Sequence, residues 1–423
     1  MLSEQSAPVL RATLPTVETA LGEIAEVFYR RLFTARPELL RDLFNRGNQA
    51  NGEQQKALAG ALAAFAGLLL DHPEARPDAL LARIAHKHTS LGITSDQYKV
   101  VHQHLFDAMA EVLGAALPPA VAAAWDEVYW LMANALIAIE ARLYREAGTA
   151  EGQVWHRMVI TERYQETADV ISLVLRPTEG RPAAPFRPGQ YVSVQAELAD
   201  GARQIRQYSL SAAPGGPQWR ITVKRVPDTR GEEAADTALG AAPRPEGEVS
   251  SWLHRNARVG DELTVSSPCG DLVLPEGNGP LLLASAGIGS TPMLALLGHL
   301  VATGSPRPLT VVHADRSPAD HALREEQRLL VAALPDARLH LWYEEGHDRY
   351  EEGHDAAPDD RTAHVAAGHA DIGALELPDG LTAYLCGPLP FLRAVRGALL
   401  RRGVPAGAIH YEVFGPDLWR GLS

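Results

Sequence analysis

From residue 3 to about residue 147, apolar residues recur every three or four positions. Leu21, Ile24, Val27 and Phe28 share one face, while Glu18, Glu23 and Glu26 mark another. Further helices are predicted over 54–70, 78–88, 95–113 and 120–145, punctuated by Pro37, Pro73, Pro77, Pro118 and Pro119. An all-α domain over 1–147 follows. After Gly148 the period shortens to runs rich in β-branched residues at 155–161, 168–176, 191–197, 204–211, 219–225 and 262–267, separated by Pro and Gly clusters. Six strands at this spacing predict a small antiparallel barrel over 152–273, with a long surface excursion at 227–245. From Gly279 a third texture begins: apolar runs at 280–284, 309–313, 338–343 and 382–386 alternate with helical stretches. This is the signature of βαβ units and a parallel sheet, here over 278–423.

Length agrees with this division, since 423 residues at about 100–200 per domain give two to four domains. The net charge of −13 and the absence of clustered Lys/Arg exclude a nucleic-acid partner. The longest uncharged stretch, 277–306, carries Gly287, Gly289 and Pro292 at its centre, against a spanning helix, so no membrane partner is expected. Two cysteines, Cys269 and Cys386, make no disulfide framework, and the start of the chain lacks a basic flank and apolar core; a cytoplasmic protein is expected. The window 344–360 holds eight carboxylates against Arg349 alone and repeats Glu-Glu-Gly-His-Asp. A metal site on His347 and His354 is conceivable there, but a charge run with Gly and no apolar periodicity reads as a solvated loop.

The candidate chemistry is concentrated in the second and third segments. A strand ending at Ala284, the Gly-rich turn Gly287-Ile288-Gly289-Ser290-Thr291-Pro292 and a helix from Met293 to Val301 form an anion site, because glycines bare backbone N–H groups at a helix N-terminus. Such a turn alone also serves simply to let helix and strand approach. The second strand-ending run, Cys386-Gly387-Pro388, places another loop at the carboxyl edge of one sheet, where α/β ligands bind. In the barrel segment Arg206, Tyr208 and Leu210 point to one face, so a guanidinium can take a phosphate while a phenol lies against a flat ring; Gln207 and Ser209 alternate with them, and Gly247-Glu248-Val249-Ser250 follows.

That order of motifs, with Phe186-Arg187-Pro188-Gly189-Gln190-Tyr191, resembles the ferredoxin-NADP reductase superfamily. The runs Asn48 to Gln54, Ala85-His86-Lys87-His88-Thr89-Ser90 and His410 to Pro416 are similar to flavohaemoglobins, and the resemblance spans essentially the whole chain. It departs at the long 227–245 link and at Val413, a position often Cys. The resemblance implies a globin domain carrying haem b, a barrel holding FAD and an α/β domain taking NADH or NADPH. Its implied activity is that of a nitric oxide dioxygenase acting on the small molecules O2 and NO; a monomer is expected. A flavin–haem reductase of peroxides or other oxidants, or an oxygen-binding sensor globin, are the alternatives.

His86 and His88 lie two residues apart, about 200° around a helix, so both cannot face one haem. On their own both read as surface histidines, as do His72, His102 and His104; the resemblance selects His88 as iron ligand. It also implies Tyr98 and Glu140 behind His88, then Tyr29, Gln54 and Leu58 on the opposite side of the haem, and Phe44 at its edge. For FAD it implies Tyr191, Arg206, Gln207, Tyr208, Ser209, Gly247, Val249 and Ser250. For NAD(P)H it implies Gly287, Gly289, Ser290, Thr291, Pro292, Cys386, Gly387 and Pro388. Lys87 and Glu412 would bridge the haem and flavin sites, and Phe414 would cover the flavin. Arg316, just after the 309–313 strand, could meet the 2′-phosphate of NADPH, though an arginine there is commonly just exposed.

Overall fold

The computed structural model describes residues 2–229, 245–345 and 363–415. The proposed metal site on His347 and His354, and most of the 227–245 link, lie outside them. The first segment folds as helices α1 (Ser6–Ala35), α2 (Pro37–Asp42), α3 (Arg46–Ala50), α4 (Glu53–Asp71), α5 (Asp78–Leu91), α6 (Gln97–Leu113) and α7 (Pro119–Glu146). Their apolar stripes meet in one core that includes Leu21, Ile24, Phe28, Phe65, Leu81 and Val128. Helix α5 ends at Gly92 in the left-handed region, a C-cap that lets the chain turn back.

The second segment is one six-stranded antiparallel sheet ordered β4-β3-β6-β1-β2-β5, with β1 (Trp155–Thr167), β2 (Val170–Pro177), β3 (Tyr191–Glu197), β4 (Arg203–Ser209), β5 (Trp219–Lys224) and β6 (Glu262–Ser266). A bridge from Leu210 to Ile221 joins its outer strands and closes the predicted barrel. Strand β1 runs past its expected end at 161, because register shifts at Ile160/Glu162 and Gln165/Thr167 carry polar residues that break strict alternation. The 247–250 run, read from sequence only as part of the barrel segment, opens helix α8 (Glu248–Asn256).

The third segment is a six-stranded parallel sheet ordered β10-β9-β8-β7-β11-β12, from β7 (Leu281–Ala286), β8 (Leu309–Asp315), β9 (Ala337–Tyr343), β10 (Ala363–Ala367), β11 (Thr382–Cys386) and β12 (Ile409–Glu412). Helix α9 (Ser290–Ala302) is buried from Ser290 through Gly298, and Gly298 packs against Ala213 of the barrel segment. A helix apolar all round is a buried helix, which explains the long uncharged stretch. Among the described residues no helix is long and apolar enough to cross a membrane. The glycine-rich turn is shorter than the sequence predicts. It closes as a single 3-10 turn, Gly287–Gly289, and the helix begins at Ser290 rather than Met293. Pro292 fits in that first helical turn because an N–H there would lack an intrahelical partner anyway.

Candidate functional site

One cavity of about 680 Å³ runs from the interior of the helical segment to the barrel and on to the edge of the parallel sheet. Its walls bring together residues from all three segments. Tyr29, Phe44, Gln54, Leu58, Lys87, His88 and Tyr98 line it on the helical side. Tyr191, Arg206, Gln207, Tyr208, Ser209, Gly247, Val249 and Ser250 line it on the barrel side, and Thr291, Glu412 and Phe414 come from the third segment. Glu140 stands behind the wall. The remaining loop residues, Gly287, Gly289, Ser290, Pro292, Cys386, Gly387 and Pro388, are not in that wall but surround the adjoining sheet edge.

On the helical side, His88 near the end of α5 turns Nδ1 toward Tyr98 of α6 and Glu140 of α7. Nδ1 lies 2.9 Å from the Tyr98 hydroxyl and 2.9 Å from Glu140 Oε1, and Tyr98 donates its own proton to Glu140 at 2.6 Å. Burial, reinforced by the Glu140 charge, pushes the Tyr98 phenol far up, so that proton stays in place. A carboxylate accepts only, so Nδ1 carries the ring proton and Nε2 presents a lone pair to the cavity. This donor set fits an iron held by neutral imidazole, and the surrounding walls are apolar enough for a flat hydrophobic macrocycle. On the wall of the same cavity, Tyr29 is buried against Phe28, Phe33 and Phe44, with ring centroids 4.7, 5.6 and 5.8 Å away. Burial raises its pKa and a hydrogen bond from Gln54 works against the rise, so the hydroxyl remains a protonated donor.

His86 is not the surface histidine that its sequence context suggests. It is 8% exposed, and its Nδ1 accepts the Gly270 N–H at 3.0 Å, which docks α5 onto the barrel. His102 is likewise half-buried, stacked between Phe106 and Trp130 with Asp126 2.6 Å from Nε2.

On the barrel side, Arg206 leaves β4 into the cavity. Burial lowers its pKa and Glu248, 3.6 Å away, opposes that. Gly247 precedes α8 so closely that a Cβ there would lie 2.6 Å from Ser250 Oγ and 2.9 Å from Val226 Cβ. A guanidinium beside a glycine-opened helix N-terminus suits a pyrophosphate, and the Tyr208 ring on the same strand suits the planar ring of FAD.

At the sheet edge, β7 and β11 are adjacent and parallel, with Ser285 opposite Cys386. A Cβ on Gly289 would sit 2.3 Å from the Cys386 carbonyl oxygen, so the two glycine loops touch and only glycine fits between them. Ser290 Oγ, at the start of α9, is buried without a hydrogen-bond partner among the described residues, a donor group that a dinucleotide phosphate would satisfy. Cys386 is fully buried, and that burial drives its thiol pKa well up. Phe414 lies beyond β12 and is 48% exposed, so it is not closing a core.

Lys87 and Glu412 both face the cavity between these regions. Burial lowers the Lys87 pKa while the Glu412 charge raises it. A third group, absent from the sequence reading, joins them: Arg83 Nε is 4.0 Å from Glu412, and the Arg83 guanidinium hydrogen-bonds the Tyr411 carbonyl and stacks 4.5 Å over the Tyr411 ring. Sequence reasoning also missed Arg46, which pairs with Asp200 at 2.6 Å and Glu248 at 2.7 Å, and Gln204, whose amide donates to the Leu40, Arg41 and Phe44 carbonyls. These residues form the seam between the helical segment and the barrel.

A bundle with a histidine wall, a barrel and a dinucleotide-type sheet sharing one cavity define a globin joined to a reductase module. Residues 26–136 match the Globin family and residues 283–397 the Oxidoreductase NAD-binding domain. The chain is 40% identical to a flavohemoprotein of Chromobacterium violaceum over 98% of both chains, and 38% identical to one of Rhizobium meliloti over 99% of this chain and 100% of the other. Its fold is similar to a Malassezia yamatoensis flavohemoglobin crystallised with bound FAD and heme, at a TM-score of 0.84 and 35% identity, covering 98% of this chain and 100% of that one. The FAD/NAD-binding domain of a nitric oxide dioxygenase from Vibrio cholerae matches 62% of this chain and 100% of its own length, at a TM-score of 0.52 and 34% identity. The chain belongs to the flavohaemoprotein family, oxidoreductases that combine a globin with FAD- and NAD-binding domains.

Proposed function

We propose that this protein is a nitric oxide dioxygenase, converting nitric oxide and dioxygen to nitrate at the expense of NADH or NADPH. What supports this reading is that one cavity is lined by His88 and by Tyr29 with its Gln54 hydrogen bond, and opens onto the flavin-side residues. When bound, haem supplies dioxygen binding and flavin converts hydride from the nicotinamide into single electrons. The protein's own residues do the rest.

His88 would hold the iron, with Glu140 and Tyr98 fixing its tautomer and increasing its electron donation. Phe44 would pack against the haem edge. Tyr29 would donate to a diatomic ligand that draws negative charge, in a site dry enough for that donor to count, with Gln54 holding the hydroxyl and Leu58 limiting the space. Arg206, Ser209 and the N-terminus of α8 would bind the FAD phosphates, with Tyr208 and Tyr191 against its ring. The two glycine loops would seat the nicotinamide dinucleotide near Cys386, and Phe414 would shield the flavin face until nicotinamide displaces it. Lys87 and Glu412 would set the polarity of the passage between flavin and haem. The test is product analysis: purified protein under air, given nitric oxide and NADH, is expected to form nitrate in proportion to NADH consumed. NADH oxidation that is unresponsive to nitric oxide, with peroxide accelerating it instead, would defeat the reading.

A further inference from the structure

Two buried serines join the helix that carries His88 to the strand beside the flavin-side wall. Gln207 on β4 pairs across the ladder with Ser193 on β3, and its Nε2 donates to Ser193 Oγ at 3.0 Å. Ser193 Oγ donates to Ser90 Oγ at 2.9 Å, and Ser90 donates to the Lys87 carbonyl at 2.8 Å. A hydroxyl has one proton to give. Ser90 spends its proton on Lys87 and Ser193 its proton on Ser90, so the amide of Gln207 must be the donor at the other end and the chain has one direction. Both serines are fully buried, and Ser193 is itself pinned by its backbone N–H donating to Ser266 Oγ at 2.8 Å. The chain thus begins at a residue lining the flavin-side cavity and ends on the backbone one residue before His88.

We propose that Ser193 and Ser90 are positioning residues that hold the flavin-binding strands in fixed register on the His88 helix and so set the rate of electron transfer from flavin to haem. This rests on the flavohaemoprotein reading of the cavity. NADH gives a hydride to the flavin and leaves as NAD+. The reduced flavin would return to its oxidised form by releasing one proton and passing its two electrons one at a time to the single haem, each taking ferric iron to ferrous, with dioxygen and nitric oxide reoxidising the iron between the two transfers. Transfer through protein falls steeply with separation and orientation, and a packed two-serine bridge is what keeps both constant between turnovers.

The experiment uses the full chain with haem and FAD bound. Ser193→Ala, Ser90→Ala and the double variant are reduced by NADH without oxygen in stopped flow, where flavin bleaching and haem reduction are read at separate wavelengths. Flavin bleaching is expected at the wild-type rate. Haem reduction is expected to slow by about ten- to a hundred-fold, the scale of an ångström-sized misplacement. The double variant should be no slower than the slower single one, because both substitutions cut the same chain. Hydrogen exchange of the holoenzyme gives a readout independent of turnover: amides of the 86–92 segment should lose protection in each variant at unchanged haem content. Haem reduction at the wild-type rate in all three variants overturns the proposal. So does equal slowing of flavin bleaching, or loss of haem, either of which marks the serines as ordinary core residues. Failure of the underlying reading looks different, since wild-type flavin would then bleach while its haem stays ferric.

Discussion

Glu140 Oε1 lies 2.9 Å from His88 Nδ1, and the same oxygen takes the Tyr98 hydroxyl proton at 2.6 Å. One carboxylate oxygen therefore decides both the tautomer of the imidazole and the place of the phenol. Glu140→Gln keeps the volume but replaces a charged acceptor by a neutral one that can also donate. We expect haem to remain bound with affinity lowered by about ten- to a hundred-fold, and the iron–histidine vibration to move to lower frequency as the ring loses electron donation. His88→Ala should abolish stable haem incorporation with flavin retained, whereas His86→Ala should leave haem content intact. Haem titration of the apoprotein and resonance Raman spectra check these outcomes; normal haem content in the His88 variant refutes the ligand assignment.

Tyr29 is surrounded by Phe28, Phe33 and Phe44, so Tyr29→Phe preserves an all-aromatic cluster and removes only the hydroxyl. Loss of one such donor costs on the order of 1–3 kcal/mol, or roughly five- to a hundred-fold in rate. The dioxygen off-rate should rise by that factor. Carbon monoxide, which draws less charge, should be released at nearly the wild-type rate. Flash photolysis separates the two ligands, and equal effects on both would reduce Tyr29 to a packing residue.

Contiguous chemistry was the legible part of this chain. Gly287 to Gly289 and Arg206 to Ser209 each put glycine freedom or alternating side chains within a few residues, so their local geometry follows from the sequence. The periods of the three segments set the element types for the same reason, and the element ends moved furthest where bulges carry β1 from 161 on to Thr167. Glu140 and Tyr98 were indistinguishable from surface helix residues until a family resemblance singled them out. The seam was not legible at all. Ser90 meets Ser193, Arg46 meets Glu248 and Gln204 meets the Phe44 carbonyl across 103, 202 and 160 residues of chain. Arginine, glutamine and serine are ordinary at surfaces, and nothing local tells a seam from solvent. His86 was misread as exposed for that reason: its burial comes from Gly270 of another segment.

At Gly289 the structure leaves no room for a side chain, because the nearest atoms to an added Cβ are the Cys386 carbonyl at 2.3 Å and the Gly387 nitrogen at 2.9 Å. Backbone cannot rotate away as a flexible side chain can. Gly289→Ala should therefore push the two loops apart at a cost of about 1–3 kcal/mol. The thermal midpoint should fall, and flavin reduction by NADH should slow through a raised KM, while the haem spectrum and carbon monoxide binding stay unchanged. A variant with wild-type NADH kinetics would show that the loops do not seat the dinucleotide.

Phe414 is half exposed against the cavity wall, beyond the last strand. An aromatic side chain with that exposure contributes little to a core, so Phe414→Ser should barely move the melting temperature. If its ring lies over the flavin, the substitution should alter the rate of flavin reduction and narrow the preference between NADH and NADPH. Stopped-flow reduction and thermal melts on one preparation test both statements; lost stability with unchanged preference refutes the flavin contact.

Arg316 follows β8, at the carboxyl edge where the adenosine ribose of a bound dinucleotide would lie. The sequence allows it to meet a 2′-phosphate, but its guanidinium is already engaged: Nη2 is 2.6 Å and Nε 3.1 Å from the two oxygens of Asp320, which also accepts the Ser317 hydroxyl at 2.6 Å. A phosphate approaching Arg316 would face the Asp320 carboxylate at close range, and Asp315 stands next along the chain. Two acidic groups at this edge favour the uncharged 2′-hydroxyl of NADH over the dianionic 2′-phosphate of NADPH. The wild-type protein should accordingly show a higher kcat/KM with NADH. Asp320→Ala releases the arginine and removes the repulsion together, so NADPH should improve mainly through KM, by roughly ten-fold, with NADH nearly unaffected. Adding Arg316→Ala to that variant should cancel the gain, because the freed guanidinium is what would bind the phosphate. Steady-state kinetics with both nucleotides on the single and double variants distinguish this from a general loosening of the loop, which would change NADH and NADPH alike and leave the second substitution without effect.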